Sequence, residues 1–526
     1  MNADGRKSRP TPLHVWLVAT LIAVALGLPA VARAAPATPT PAGELYAAVI
    51  PALRAQVTAA AGPLSVYRIT ASLDAAHHAI VADERVDYVN TTGAPVASLP
   101  FRLFPNASYY QPGGLLSALL VSGRQIAIPP LTVEQTVVTV PLGTPLLPAA
   151  TASIELRFTT TIPVNSAGSF GILNEDTQTG TWVVSDWYPI VAGFEPGRGF
   201  RLDPPTSFGD PTFADEALYD VTLLAPTKLT VVASGHELAA TPNAAERTVA
   251  HHYADGPARD FTFVADDNFA SIHMQVGGTT VRVYTNPGAA AAQLALDNAA
   301  SALAAYSARL GTYPFRDLNL VETSLDGAAG VSWTGLVFLD QSRLRFDPSD
   351  TAGADALRFT AAHEVAHQWW GMSVGANSND HTFMVEGLTN YTAVLYIEWT
   401  AGESAAKADL NRYIAGPYLN LLASGPDQVA DVPVANGQSA SARSTIIYGK
   451  AALGFAAIRE RIGNDAFLRA LRGYAETYAY RIATPGDLLA VFEHASGQDL
   501  RALWQQWFEE ATTTPQDVEG ILPRAA

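Results

Sequence analysis

Two kinds of amino-acid pattern follow one another in this chain, and they meet near Pro287. Before it, from about residue 64 to 276, apolar and β-branched residues come in short runs at 66–69, 79–81, 86–89, 152–158, 219–224 and 229–233. Turn-forming residues bound them: Asn90-Thr91-Thr92-Gly93, Pro129-Pro130 and Gly209-Asp210-Pro211. Runs of this length between turn signals predict strands, and their succession predicts an all-β region of sandwich type. A short helix is expected ahead of it, over residues 44–61. After Pro287 the spacing changes. Residues 289–310 are Ala-rich, hold a helical period and meet no proline before Gly311 stops them. Strands are expected at 318–323 and 335–339. From residue 354 onward nearly everything reads as helix: 359–370 ending at Gly371, then 386–399, 405–422, 446–462, 465–478, 485–495 and 500–508. The expected fold class is α+β and multidomain, with an N-terminal all-β sandwich-like unit followed by a mostly helical one. A chain of 526 residues has the length for two or three such units.

Composition narrows the function. Hydrophobic residues make up 48% and charged residues 15%, which is globular and not disordered. Cysteine is absent, so a disulfide scaffold, a thiolate metal site and a cysteine nucleophile are all excluded. The net charge of −17, with no basic run after residue 10, excludes a nucleic-acid partner, whose phosphates need clustered Lys and Arg. At the N-terminus, Arg6, Lys7 and Arg9 precede an apolar run over 13–31 that exits through Ala32-Arg33-Ala34. This is the order of an export signal, cut after Ala34, and it predicts a secreted or extracytoplasmic protein. The alternative is a retained anchor over 13–31, which is nearly long enough to span a bilayer. No other stretch is apolar enough, so no membrane span is expected after cleavage. Residues 35–63 then divide into a Pro/Ala/Thr-rich linker and the short helix.

The chemistry centres on His363-Glu364-Val365-Ala366-His367. On a helix, positions i and i+4 share a face, so His363 and His367 can ligate one ion. Neutral imidazoles suit Zn²⁺, which favours tetrahedral nitrogen and oxygen ligation. Glu364, beside the first ligand, is placed to take a proton from water at the metal. A third ligand must come from elsewhere. Glu386 opens Glu386-Gly387-Leu388-Thr389-Asn390-Tyr391 with eighteen residues between it and His367, enough for a loop and an antiparallel second helix. Three protein ligands leave a fourth position for water, the mark of a catalytic and not a structural site. Asn390, one helical turn past Glu386, can orient a ligand histidine. Asp380 and His381 fall in the preceding loop, where solvated side chains are expected.

HEVAHQWWG, the eighteen-residue gap and EGLTNY resemble the membrane alanyl aminopeptidase family of gluzincin zinc metallopeptidases. Tyr448-Gly449-Lys450, sixty-two residues beyond Glu386, is similar to that family's catalytic tyrosine segment. Trp187-Tyr188-Pro189, Gly209-Asp210-Pro211, Ala258-Arg259-Asp260-Phe261, Thr312-Tyr313-Pro314-Phe315 and the closing helices with Ser496-Gly497 and Trp507 extend the likeness over roughly residues 64–510. The resemblance implies a saddle-like β domain at 64–276 and a thermolysin-like catalytic domain at 277–512, which places them between the signal at 1–34 with its linker and a tail at 513–526. It implies one Zn²⁺ and a Tyr448 phenol that donates to the oxyanion of the tetrahedral intermediate. It also implies that the large C-terminal helical domain of bigger members is missing, leaving a shorter cavity open on one side.

One departure from the family is plain. Its aminopeptidases carry a Gly-x-Met-Glu-Asn type strand whose Glu binds the substrate's free amine and whose backbone pairs with the peptide. Here the segment is Ala329-Gly330-Val331-Ser332-Trp333, with Gly330 to Trp333 as the peptide-aligning residues and Ser332 where the Glu is expected. A neutral hydroxyl cannot replace a carboxylate as partner for an ammonium, a loss of about 2–4 kcal/mol of amine recognition. Glu322 and Asp326 are the nearby carboxylates that can compensate. The expected function is a secreted, aminopeptidase-like zinc metallopeptidase acting on a peptide or protein. Ser332, and the apolar Val385 beside Glu386, also admit a degenerate zinc-binding protein whose groove holds a partner. A zinc hydrolase of a non-peptide substrate is the third reading.

Overall fold

The computed structural model describes residues 43–110, 115–122, 135–206, 213–434 and 440–522. The expected signal and anchor, most of the linker, and the turns Pro129-Pro130 and Gly209-Asp210-Pro211 lie outside the described residues.

Ahead of the β region, the helix expected over 44–61 is shorter than its pattern. A single 3₁₀ turn at Pro51–Leu53 leads into the helix Arg54–Ala61. Pro51 has no N–H to donate, so it opens a helix but cannot sit within one. Period-two sequence then builds the strands. Ser65–Asp74 alternates buried and half-buried positions, with Tyr67, Ile69, Ala71 and Leu73 inward. It pairs antiparallel with Ala79–Val89 and parallel with Ala217–Pro226 at the centre of a seven-stranded sheet. Residues 217–225 of that strand are buried on both faces, Asp220 and Thr222 included, as suits a strand inside a covered sheet. A four-stranded, a three-stranded and a two-stranded sheet complete the region. Its core is aromatic: the Tyr67 and Tyr219 rings stack 5.0 Å apart. Trp187 Nε1 donates to the Phe261 carbonyl at 3.1 Å, and the Phe261 amide to the Tyr188 hydroxyl at 2.9 Å. Two of the segments singled out from sequence thus hold each other.

The second part begins with a five-stranded sheet in the order Ala270–Val276, Thr279–Thr285, Asp317–Thr323, Leu336–Asp340, Gly330–Trp333. The expected boundary at 276/277 falls inside its first hairpin. Gly330–Trp333 pairs on one side only and forms the sheet's edge. Helix Ala292–Arg309 packs on Thr351–Ala366, which packs in turn on Leu388–Ala401. Alanines 295, 299, 302 and 305 line the buried face of the first helix and let the others approach closely. A separate apolar cluster joins the two parts. Ile172, Val183, Val232 and Val264 come from the β region, and Val321, Trp333, Leu336 and Phe338 from the second sheet. Arg259 crosses the same boundary, donating to the carbonyls of Ala214, Gly371, Met372 and Arg481 and pairing with Glu216 at 3.1 Å.

Candidate active site

Helix Thr351–Ala366 carries His363 in its last turn and ends on His367 as its C-cap, sooner than the expected stop at Gly371. Asp350 caps it by accepting from the Ala352 amide, and the helix runs inward until residues 359–366 are all buried. The Tyr306 hydroxyl donates to the Ala362 carbonyl at 2.9 Å, so a side chain of the neighbouring helix fixes its depth. The chain turns out at Gly371, whose φ of +110° suits glycine alone. Gln368 ties this end to the edge strand: it donates to the Trp333 carbonyl and accepts from the Gly335 amide, both at 2.9 Å.

The imidazoles are oriented from behind. His363 Nδ1 lies 3.2 Å from Asn390 Oδ1, and His367 Nδ1 lies 3.0 Å from the Trp370 carbonyl. Both partners accept, so each Nδ1 carries the proton and each Nε2 presents a lone pair. Those two Nε2 atoms are 3.0 Å apart, and Glu386 Oε2 sits 3.2 Å from one and 3.4 Å from the other. Two neutral acceptors and a carboxylate converge on one point, an arrangement that a cation relieves. The donor set suits a divalent ion that takes nitrogen and oxygen with one position open, zinc first among them. His363, His367 and Glu386 form the one such cluster among the described residues. Burial opposes the His367 cation, yet the Glu386 charge and hydrogen bond lift its pKa to about 9, so the neutral, lone-pair form is the one a bound metal ion selects by displacing that proton. Burial likewise opposes the Glu386 anion, and the two histidines hold its pKa well below the ordinary carboxylate range.

Glu386 and Tyr448 reach the cavity from widened, π-type turns, Phe383–Gly387 and Thr445–Lys450, each running into a regular helix. Such turns cluster at functional sites because the extra residue re-aims a side chain. Gly387 lets the two elements touch: a Cβ there would lie 2.7 Å from that of Ala451. Asn390 reaches across as well, donating from Nδ2 to the Tyr448 carbonyl at 2.7 Å. The Tyr448 and His363 rings are 5.9 Å apart. Burial, then the Glu386 charge, holds the Tyr448 phenol well above its ordinary pKa and therefore protonated.

Glu364 lies on the opposite side, buried against the edge strand. Ser332 Oγ is 2.7 Å from Glu364 Oε2 and 3.0 Å from the Glu364 carbonyl, so its one proton is given to the residue behind it. A Cβ on Gly330 would come within 2.5 Å of Glu364 Oε1, so only glycine lets the strand pass this close. Burial raises the Glu364 pKa against the pull of both histidines and the Ser332 hydroxyl.

All ten sequence-predicted site residues, His363, Glu364, His367, Glu386, Asn390, Tyr448 and Gly330 to Trp333, line one cavity of about 510 Å³. The two candidate substitutes for the amine-binding Glu do not. Glu322 is buried, bonded to the Asn286 amide and ion-paired with Arg345, while Asp326 is exposed and off the lining. Asp380 and His381 are not solvated loop residues. They lie in the short helix Ser378–Thr382, Asp380 held by Arg198 and Arg201 and His381 bonded to Asp431 at 2.6 Å. Gln368 escaped the sequence reading. Its signal is a polar residue directly after the second histidine, on the buried side of the helix.

A histidine pair on one helix, a carboxylate from the next and a β region over the cavity define a gluzincin-type metal centre in a two-domain fold. Residues 294–507 match the peptidase family M1 domain. It is 28% identical over 328 residues to aminopeptidase M1-B of Oryza sativa subsp. japonica, an alignment covering 61% of this chain and 37% of that one. It is 26% identical over 391 residues to mitochondrial aminopeptidase 2 of Saccharomyces cerevisiae, covering 70% and 38%. The chain thus spans less than half the length of these curated relatives. Among solved structures, the fold is similar to an M1 zinc metallopeptidase from Deinococcus radiodurans, with TM-score 0.61, 18% identity and coverage of 86% and 95%. A two-domain M1 zinc metallopeptidase bound to L-tryptophan gives TM-score 0.64 at 18% identity, covering 88% and 96%.

Proposed function

We propose that this chain is a zinc-dependent metallopeptidase, aminopeptidase-like in machinery but without a strict need for a free substrate amine. The observation that carries the reading is the convergence of His363, His367 and Glu386 beside Glu364 and Tyr448, in a cavity walled by an unpaired strand edge. Zinc held by the three ligands supplies a Lewis acid that polarises a carbonyl and acidifies water. Glu364 takes a proton from the attacking water and returns it to the leaving amine, and its raised pKa suits both transfers. Tyr448, kept protonated, donates to the oxygen on which negative charge develops. The edge Gly330–Trp333 offers main-chain groups for an extended peptide to pair with. Ser332 serves the base and not the substrate, which is why a blocked N-terminus is expected to be tolerated.

The deciding experiment is a panel of fluorogenic peptides, free-amine and N-acetylated, with and without a zinc chelator. Hydrolysis of both series, abolished by chelator and restored by zinc, is expected. Glu364→Gln should retain one zinc and lose at least about a thousandfold in kcat. Normal turnover in that variant would remove Glu364 from the role of base. Turnover of the free-amine series alone would restore a strict aminopeptidase, and turnover of neither would leave a zinc-bearing binding groove.

The N-terminal 34 residues suit export of the enzyme, and N-terminal sequencing of the exported protein should begin at Ala35. An intact N-terminus in the membrane fraction would instead identify residues 13–31 as an anchor. No helix among the described residues is long and apolar enough to cross a membrane.

A further inference from the structure

A second cavity, of about 220 Å³, adjoins the catalytic one and shares Phe213 as a wall. The segment carrying Ser378 separates them, with Ser378 on the catalytic side and Asn377, Asn379 and Asp380 on the other. Three arginines line this second cavity: Arg102, Arg198 and Arg201. Two of them are answered. Arg198 pairs with Asp380 and Glu195, and Arg201 with Asp380 at 3.0 Å, Glu195 at 3.2 Å and Asp203 at 2.7 Å.

Arg102 differs. It is 5% exposed, yet no carboxylate oxygen of a described residue lies within 4.0 Å of its guanidinium. Its Nη1 donates to the Arg201 carbonyl at 3.2 Å, its face rests 5.1 Å from the Phe104 ring, and its buried Nε has no hydrogen-bond partner. A guanidinium taken out of water without an anion beside it is costly, and proteins keep one where an anion comes to it. Burial depresses the Arg102 pKa while the fields of Tyr109, Asp203 and Asp186 oppose that. Glu195, Asp203 and Asp380 are all engaged by Arg198 and Arg201, which leaves Arg102 as the lining guanidinium outside that ion-pair network.

We propose that this arginine cavity is a carboxylate subsite of the enzyme, in which Arg102 receives an acidic group of the peptide held in the adjoining catalytic cavity. The inference rests on the peptidase reading and narrows its substrate to peptides with a carboxylate within reach of Phe213. A planar carboxylate matches the fork of the guanidinium, and Asn377 and Asn379 give the cavity further polar lining. The carboxylate belongs either to an acidic side chain or to the peptide's C-terminus, and the two sources separate experimentally.

The test is calorimetric titration of the full-length Glu364→Gln protein, zinc-loaded, so that binding is read without turnover. Two peptide pairs are used: Glu-Ala-amide against Gln-Ala-amide, and Ala-Ala-Ala against Ala-Ala-Ala-amide. The carboxylate-bearing member of one pair is expected to bind at least about tenfold tighter, and which pair responds identifies the source. Adding Arg102→Met should reduce that preference to within about twofold, while Arg102→Lys, which keeps the charge, should retain part of it. Equal affinity within both pairs overturns the proposal even if Arg102→Met fails to fold, and so does a preference that survives in a folded Arg102→Met. Failure of the wild-type chain to hydrolyse any peptide counts against the peptidase reading alone. Failure of carboxylate selectivity in an active enzyme counts against the subsite alone.

Discussion

At the scale of single residues, the site is decided by what stands next to Glu364. Gly330 passes so close that a methyl group would meet the carboxylate at 2.5 Å. Gly330→Ala should therefore displace the base, lowering kcat about a hundredfold while zinc content stays at wild type. Steady-state kinetics alongside metal analysis reads both, and unchanged kcat would contradict the placement of Glu364. Ser332 makes the complementary case. Its hydroxyl serves Glu364 at 2.7 Å, so Ser332→Ala should lower kcat by about three- to tenfold and leave KM unaltered. A rise in KM at constant kcat would mean that Ser332 touches substrate instead. Sequence made Gly330 and Ser332 visible as candidates only by position in a motif. That the serine points at the base and not at the substrate depends on a strand and a helix far apart in the chain, which no local pattern encodes.

At the scale of elements, three pieces of backbone meet around the metal ligands. The histidine helix could be read in advance because His363 and Glu364 lie in its last turn and His367, its C-cap, keeps helical backbone angles, so the i and i+4 side chains share a face. The elements bearing Glu386 and Tyr448 were expected as ordinary helices at 386–399 and 446–462. Both instead begin with a π-type turn, which follows from the close crossing at Gly387 and Ala451 and not from propensity. Asn390 joins all three, orienting His363 and holding the Tyr448 carbonyl. Asn390→Ala should weaken zinc binding about ten- to a hundredfold, measured by competition with a graded series of chelators. Wild-type affinity in that variant would show that His363 needs no such support.

At the scale of the molecule, the β region and the helical region meet across a boundary rich in buried acids. Burial lifts Asp255 and Glu216 to about 7 and Asp215 to about 6, against ordinary values near 4. Each folded-state pKa lies above its unfolded value, so the folded protein binds more protons between those limits. The stability these groups allow is full below about pH 4 and is lost as pH climbs toward 7. Thermal unfolding should accordingly show a lower Tm at pH 8 than at pH 5. Asp255→Asn should flatten that dependence and exceed wild type at pH 8, and a profile steeper than wild type would contradict the assignment. Arg259, bonded to carbonyls on both sides, is the cation that tempers Glu216 and Asp215 and fastens the cavity's two walls together.

The sequence by itself determined the order of a strand-built region and a helix-built region, because periods of two and of about 3.6 are written locally. It determined the candidate metal-ligand residues too, since two histidines four apart and a carboxylate nineteen residues beyond the second leave few other ways to meet. Tertiary structure alone decided the rest. It turned Ser332 toward Glu364, took Glu322 and Asp380 into ion pairs, and walled off an arginine cavity behind Phe213. Those outcomes depend on which distant charges and surfaces come to share one small volume, and in that setting burial and pairing set what each group can do.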